Sequence, residues 1–300
     1  MLDVFLKSAG QVVIGKEGAF RLALTCLLAE GHLLLEDEPG MGKTTFAKTL
    51  GKLLNLEFSR IQFTADLLPS DIIGTSIFDR QQQHFIFQPG PIFSQLVLGD
   101  ELNRASPKTQ SAFLQAMEEH AVTVDGKTYE LKLPFFLIAS QNPRRSIGTF
   151  PVPESQLDRF MMKLKLGYPS REAETSILLH GNPASALLSL PALWSADEIT
   201  AWQKEVRNIH ASPNVVRYIV DIANESRKLP HGISPRASLA LLHAAKAWSW
   251  LEKRKFVIPE DVQAVAMAVM SHRLVSGEEI KPELGESRAT EILNRITIYP

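Results

Sequence analysis

Asp37-Glu38-Pro39-Gly40-Met41-Gly42-Lys43-Thr44 is the stretch on which the reading of this chain turns. The apolar run His32-Leu33-Leu34-Leu35 leads into it, and Lys43-Thr44-Thr45-Phe46-Ala47-Lys48-Thr49-Leu50 follows, so the order is strand, glycine-containing turn, helix. That is the setting of a phosphate-binding loop. Gly40 and Gly42 let backbone N–H groups wrap around phosphate oxygens, and the helix start adds a favourable dipole. Lys43 is placed to reach the β- and γ-phosphates, and the Thr44 hydroxyl to ligate Mg²⁺. Glu38, Pro39, Gly40, Met41, Gly42, Lys43, Thr44 and Thr45 form the expected ATP-binding stretch. The pattern G-x-x-x-x-G-K-[ST] has glycine where this chain has Asp37. Asp tolerates unusual backbone angles, so the loop is expected to keep its shape.

Two further polar strand ends turn a phosphate binder into a candidate hydrolase. Leu96-Val97-Leu98-Gly99-Asp100-Glu101 is an apolar run closing on two carboxylates. Asp100 is suited to the Mg²⁺ shell, and Glu101 to orienting and deprotonating an attacking water. Phe135-Phe136-Leu137-Ile138-Ala139-Ser140 closes on Gln141-Asn142. Ligands of a parallel sheet sit beyond the carboxyl ends of its strands, so Asn142 is expected near the γ-phosphate. Asp71-Ile72-Ile73-Gly74 matches a D-x-x-G signature of GTP-binding proteins, but no apolar strand leads into it and no N-K-x-D guanine-reading motif is present. ATP is therefore the expected nucleotide.

Around these motifs, short apolar strands alternate with helical patterns, the mark of a mostly parallel sheet. Strands are predicted over 32–36, 57–62, 96–101, 135–140 and 161–166, five in all. Residues 121–124 and 127–131 flank Asp125-Gly126, a pair suited to a two-residue hairpin turn. After Tyr168-Pro169-Ser170 the patterns become helical, over 170–180, 195–209, 212–228, 234–253 and 259–272, with 181–191 reading as a linker. The expected plan is an α/β nucleotide domain over 1–180 and a smaller all-helical lid over 181–300.

The bulk composition fits a soluble globular protein. Lys plus Arg number 32 against 33 Asp plus Glu, which argues against a chain that grips nucleic acid mainly by charge. Cys26 is the only cysteine, so an intrachain disulfide and a cysteine-based zinc cluster are both excluded. It lies in an apolar run and is expected to be buried rather than reactive. The eight histidines show no metal-ligand spacing. Trp194, Trp202, Trp248 and Trp250 fall on or beside predicted helices, where core packing is the expectation. No apolar run approaches the ~20 residues of a membrane span and no secretory signal is visible, so a cytoplasmic protein without membrane insertion is predicted.

The order of motifs resembles the AAA+ superfamily and, within it, the MoxR family. The resemblance is carried by Gly31 through Thr44, Phe63 through Asp71, Gly90-Pro91-Ile92-Phe93 and Asp100 through Gln110. It continues in Gln141-Asn142-Pro143, Gln156-Leu157-Asp158-Arg159-Phe160 and Ser234-Pro235-Arg236-Ala237-Ser238. It implies an ATPase core with a helical lid, assembling into a ring, usually a hexamer. Lys43 and Thr44 look like Walker A, Asp100 and Glu101 like Walker B, and Asn142 like sensor 1. Arg159 looks like the arginine finger that reaches a neighbour's ATP, Arg236 like sensor 2, and Val13-Ile14-Gly15 like the segment that packs on adenine. Ser234-Pro235 reads as an N-cap followed by proline at the first helical position, which puts Arg236 on the first turn. Gly99 stands where Ala is commoner, and Arg144 and Arg145 stand where relatives carry an acidic or Gln-containing segment.

What the resemblance implies in function is ATP-driven remodelling or maturation of a client protein, with a partner carrying a von Willebrand factor A domain. A nucleic-acid motor and a chelatase-type motor share the same core. The first is disfavoured by the neutral charge and the absence of a DNA-binding module; the second differs chiefly in its partners.

Overall fold

The computed structural model describes residues 1–81, 83–142, 148–180, 183–275 and 282–297. Arg144 and Arg145 lie outside these. The chain opens with helices α1 (Leu2–Gly10) and α2 (Glu17–Leu28), then strand β1 (Leu33–Glu36) and helix α3 (Lys43–Leu53). Strand β2 (Phe58–Gln62), helix α4 (Pro69–Ile73), strands β3 (Gly74–Asp79) and β4 (His84–Pro89), strand β5 (Leu96–Asp100) and helix α5 (Pro107–Glu119) follow. Strands β6 (Ala121–Val124), β7 (Lys127–Glu130) and β8 (Phe136–Gln141), helix α6 (Glu154–Leu157) and strand β9 (Met162–Leu164) complete the α/β part. The remainder is helical: α7 (Arg171–His180), α8 (Pro183–Ser189), α9 (Ala196–Arg207), α10 (Pro213–Ser226), α11 (Pro235–Leu251), α12 (Pro259–Met270) and α13 (Pro282–Arg295).

Five strands form one sheet in the order β2-β5-β8-β1-β9, with every pairing parallel. The alternation of strand side chains sorts the core into two layers. Leu33, Leu35, Leu96, Leu98, Phe136 and Ile138 face α1, α2 and α3, whereas Leu34, Val97, Leu137 and Ala139 face Phe113 and Leu114 of α5. Strands buried on both faces read as continuous apolar runs, as β1, β5 and β8 do, whereas β2 is half-exposed and mixed in sequence. The Asp125-Gly126 hairpin forms as expected, with both turn residues at positive φ, 50° and 75°.

Two features differ from the sequence reading. The antiparallel pair β3–β4 is a second hairpin, unanticipated because its side chains are largely exposed and carry no clean alternation. Its base is pinched shut: a Cβ on Gly74 would lie 2.2 Å from the carbonyl oxygen of Gln88, and one on Gly90 would lie 2.2 Å from that of Ile72. Asp71, whose D-x-x-G match the sequence reading set aside, caps α4, accepting the Leu68 N–H at 2.8 Å. The second difference is α8, which lies inside the stretch expected to be a linker. It packs on α3, and Ala186 and Leu187 extend the core there, so tertiary burial overrides the local proline and small-residue signal.

The first core layer continues without a break into the helical part, through Ile199, Val206, Tyr218, Leu241 and Val265. Alanines at 237, 240, 244, 245 and 247 let α11 approach its neighbours closely. Ser195, Ser212 and Ser234 cap α9, α10 and α11, each accepting the N–H of the residue three positions on. Trp194 stacks on Phe5 at 5.1 Å and meets Trp202 edge-on at 5.1 Å, which roofs α1 with aromatic packing. Cys26 is fully buried, and that burial pushes its thiol pKa far up. Among the described residues no helix is long and apolar enough to cross a membrane.

Candidate functional site: the carboxyl ends of the sheet

Between β1 and α3 the loop turns on Gly40 (φ +85°) and Gly42 (φ +84°). An added Cβ at either would meet nothing within 4 Å, so glycine is required by the left-handed backbone rather than by crowding, and the concave side stays open. Lys43 and Thr44 form the first turn of α3, where unpaired N–H groups and the helix dipole favour an anion. The Lys43 ammonium folds back over the loop and donates to the Asp37 carbonyl oxygen at 2.6 Å.

Asp37 does not do what the motif comparison suggested. It is absent from the positive-φ positions, so its tolerance of unusual angles is not used. Its side chain is buried instead, and the carboxylate accepts backbone N–H groups from Leu166 at 2.6 Å and Gly167 at 2.9 Å. The residue that departs from the motif thus ties the mouth of the loop to the chain leaving β9. The same segment brings in the expected adenine-side residues. Lys16 donates to the Tyr168 carbonyl at 2.8 Å, and the Cα side of Gly15 faces Ala173. Of the three expected adenine-side residues, Gly15 therefore lies against the start of α7.

The parallel register places Gln62 beside Asp100 and Glu36 beside Gln141, so polar side chains cluster at one edge of the sheet. Asp100 is nearly buried and fully engaged. Ser140 Oγ donates to Oδ1 at 2.5 Å, while Arg60 donates to Oδ2 through Nη2 at 2.7 Å and Nε at 3.2 Å. Thr44 Oγ1 is 3.5 Å from the same Oδ2. The hydroxyl and carboxylate are adjacent oxygens, a donor set of the kind that suits Mg²⁺. Glu101 adopts a left-handed conformation (φ +60°), uncommon for a non-glycine residue and a frequent sign of a functional position. Its carboxylate accepts from Gln62 Nε2 at 3.1 Å and pairs with Arg104 at 3.1 Å.

Asn142 follows β8 at the same edge, and its carbonyl accepts from Asn103 Nδ2 at 3.4 Å. Beneath it, Lys163 of β9 and Glu36 of β1 form an almost fully buried ion pair at 2.9 Å, and Gln141 donates to the other Glu36 oxygen at 2.8 Å. Arg60, Gln62, Glu36 and Lys163 were not legible as site residues, because each acts through a partner on another strand.

Arg159 and Arg236 are brought to each other but not to this edge. Arg159 Nη2 lies 3.1 Å from one Glu118 oxygen and Arg236 Nη2 lies 2.6 Å from the other. Glu118 follows Met117, whose carbonyl bonds His32 at the amino end of β1, and the N–H of Met161 bonds the His32 carbonyl. The two arginines therefore sit at the amino edge of the sheet, one strand length (~13 Å) from the phosphate loop. Arg236 is on the first turn of α11, as the Ser234-Pro235 cap predicts. Arg273, which the sequence did not mark, holds the segment before β9. It donates to the Asp158 carboxylate at 2.6 Å and to the carbonyls of Asp158, Phe160 and Met161 at 2.8, 2.7 and 3.1 Å.

Two histidines have structural partners. His32 Nε2 donates to the Met117 carbonyl at 3.0 Å and Nδ1 accepts the Leu137 N–H at 3.1 Å, and burial pushes its pKa down to about 3. His272 meets the Phe160 carbonyl at 3.1 Å, and burial holds its pKa well below the usual value.

Comparison with known proteins agrees with this geometry. Residues 32–162 match the model of the ATPase family associated with various cellular activities (AAA), and residues 223–296 match the AAA lid domain. The chain is 36% identical to Chaperone MoxR1 of Mycobacterium tuberculosis, over 95% of this chain and 78% of that protein. It is 29% identical to Protein MoxR of Paracoccus denitrificans, covering 90% and 87% of the two chains. Identity reaches 43% with the uncharacterized protein YeaC of Bacillus subtilis, over 99% of this chain and 95% of that protein. A crystal structure from Cytophaga hutchinsonii superposes with a TM-score of 0.88 at 33% identity, covering 99% of this chain and 94% of that one. A phosphate loop, an Asp-Glu strand end beside it and a lid matched along most of its length belong together in one family: this chain is a member of the MoxR family of AAA+ ATPases.

Proposed function

We propose that the protein hydrolyses ATP at the carboxyl edge of its sheet and uses the cycle to remodel or mature a client protein. The observation that carries the hydrolytic reading is the approach of Thr44 Oγ1 to Asp100 Oδ2 at 3.5 Å, which brings the strand end that leads into Glu101 beside the helix start that carries Lys43. The N–H groups of Gly40 through Thr44 hold phosphate oxygens, and Lys43 exchanges the Asp37 carbonyl for the β- and γ-phosphates. Thr44 and Asp100 supply the ligands for Mg²⁺, which when bound neutralises phosphate charge. Glu101 turns from Gln62 to a water and takes its proton, with Asn142 positioning that water. Val13, Ile14 and Gly15 flank the base.

Arg159 and Arg236 serve a neighbouring subunit's nucleotide, since both lie at the opposite edge from their own loop. This fits a ring, with six subunits as the expected number. Residues 1–180 then act as the hydrolytic unit and 181–300 as the lid. A partner bearing a von Willebrand factor A domain and a cytoplasmic setting complete the proposal, both resting on the family resemblance.

Phosphate release from Mg²⁺–ATP tests the hydrolytic reading. Glu101→Gln is expected to bind ATP with near-normal affinity and to lose at least ~10²-fold in kcat, the usual contribution of a general base. Unchanged turnover in that variant rules the assignment out.

A further inference from the structure

Glu118 holds two guanidinium groups from different parts of the chain, Arg159 before β9 and Arg236 on α11. The three side chains are 30%, 50% and 41% exposed for Arg159, Arg236 and Glu118, so the cluster is open to an approaching molecule. Arg159 is turned inward. Its Nη1 points to the Leu114 carbonyl at 3.5 Å, and its buried Nε has no hydrogen-bond partner. Guanidinium groups with donors to spare, held by an exposed carboxylate, are weakly committed, because exposed ion pairs contribute little. A phosphoryl group offers more charge and more acceptor oxygens in a geometry that suits the guanidinium fork.

We propose that Glu118 is a holding group for Arg159 and Arg236, displaced from both when they meet the terminal phosphate of a nucleotide held by a second copy of the chain. The inference rests on the intersubunit reading above and adds a positioning residue to it. In the isolated subunit Glu118 parks both arginines against α5. Arg273 fixes the backbone beside Arg159, so release moves the side chain rather than the loop. A neighbour's triphosphate competes with Glu118 for both heads at once. A diphosphate lacks the group that competes, so the patch distinguishes ATP from ADP across the interface.

The test is self-assembly measured by sedimentation velocity over a range of subunit concentrations, in Mg²⁺–ATP, in Mg²⁺–ADP and without nucleotide. Glu101→Gln serves as the parent, so that ATP persists. Adding Glu118→Gln is expected to lower the concentration for half-assembly about two- to fivefold in ATP, the scale of losing weak competing ion pairs. No shift is expected in ADP. In an Arg159→Ala/Arg236→Ala background, Glu118→Gln is expected to have no effect, because the interaction being removed is already gone. An unchanged midpoint in ATP, an equal shift in ADP, or a shift that survives loss of both arginines overturns the proposal. If assembly of the Glu101→Gln parent ignores ATP altogether, the intersubunit reading itself fails, and that outcome is seen before Glu118 is touched.

Discussion

The Asp37 carboxylate accepts the backbone N–H of Gly167 at 2.9 Å, coupling the mouth of the phosphate loop to the segment that leads from β9 to the helical part. With the Leu166 N–H at 2.6 Å it forms a two-bond clamp on a nearly buried charge. Asp37→Gly, which restores the common motif residue, is therefore expected to destabilise the protein by about 2–3 kcal/mol, the scale of hydrogen bonds to a charged group. Asp37→Asn, able to accept one of the bonds, falls between. Equilibrium urea denaturation measures both, and a glycine variant as stable as the parent contradicts the clamp.

Gly99 gives a second case in which the local environment chose the residue. A Cβ there would lie 2.5 Å from the Phe113 ring and 2.9 Å from Phe63, two buried rings already packed edge-to-face. Gly99→Ala is expected to cost about 1–3 kcal/mol through overpacking. Gly99→Ala combined with Phe113→Leu recovers part of the loss. Thermal unfolding of the single and double variants checks this, and additive losses would argue against a shared cavity.

Buried His32 sets an acid limit. Its folded-state pKa is about 3 against an ordinary 6.5, so between these values the unfolded chain binds a proton that the native state refuses. Stability from this group is full above pH 6.5 and falls as pH drops, by about 2 kcal/mol at pH 5. Denaturation at pH 7.5 and pH 5 is expected to show a smaller pH-dependent loss in His32→Gln than in the parent. An identical loss in both would show that His32 is not refusing the proton.

The central strands β1, β5 and β8 were legible because they are buried on both faces and lead into chemically distinctive residues. Apolar runs located these three, and Asp100 and Glu101 marked the end of β5, while Lys43 marked the start of α3. Asp125-Gly126 announced one hairpin, whereas β3–β4 stayed hidden because exposed strands lose the alternation on which the reading depends. Asp37 was misread for a different reason: its partners are backbone amides about 130 positions away, which side-chain patterns do not encode. Arg273 and Glu118 were missed for the same cause. A lone charged residue carries no signal until the fold supplies the group it holds.

Arg159 lies at the amino edge of the sheet and Lys43 at the carboxyl edge, so on the intersubunit proposal the two serve different nucleotides. Mixing Arg159→Ala with Lys43→Ala subunits, each nearly inactive alone, tests that claim most directly through the rate of phosphate release. The intersubunit account predicts that the mixture recovers a measurable fraction of the parent rate, because Lys43→Ala subunits lend an intact Arg159 to neighbours whose loops are intact. A mixture no more active than the sum of its two components would contradict it.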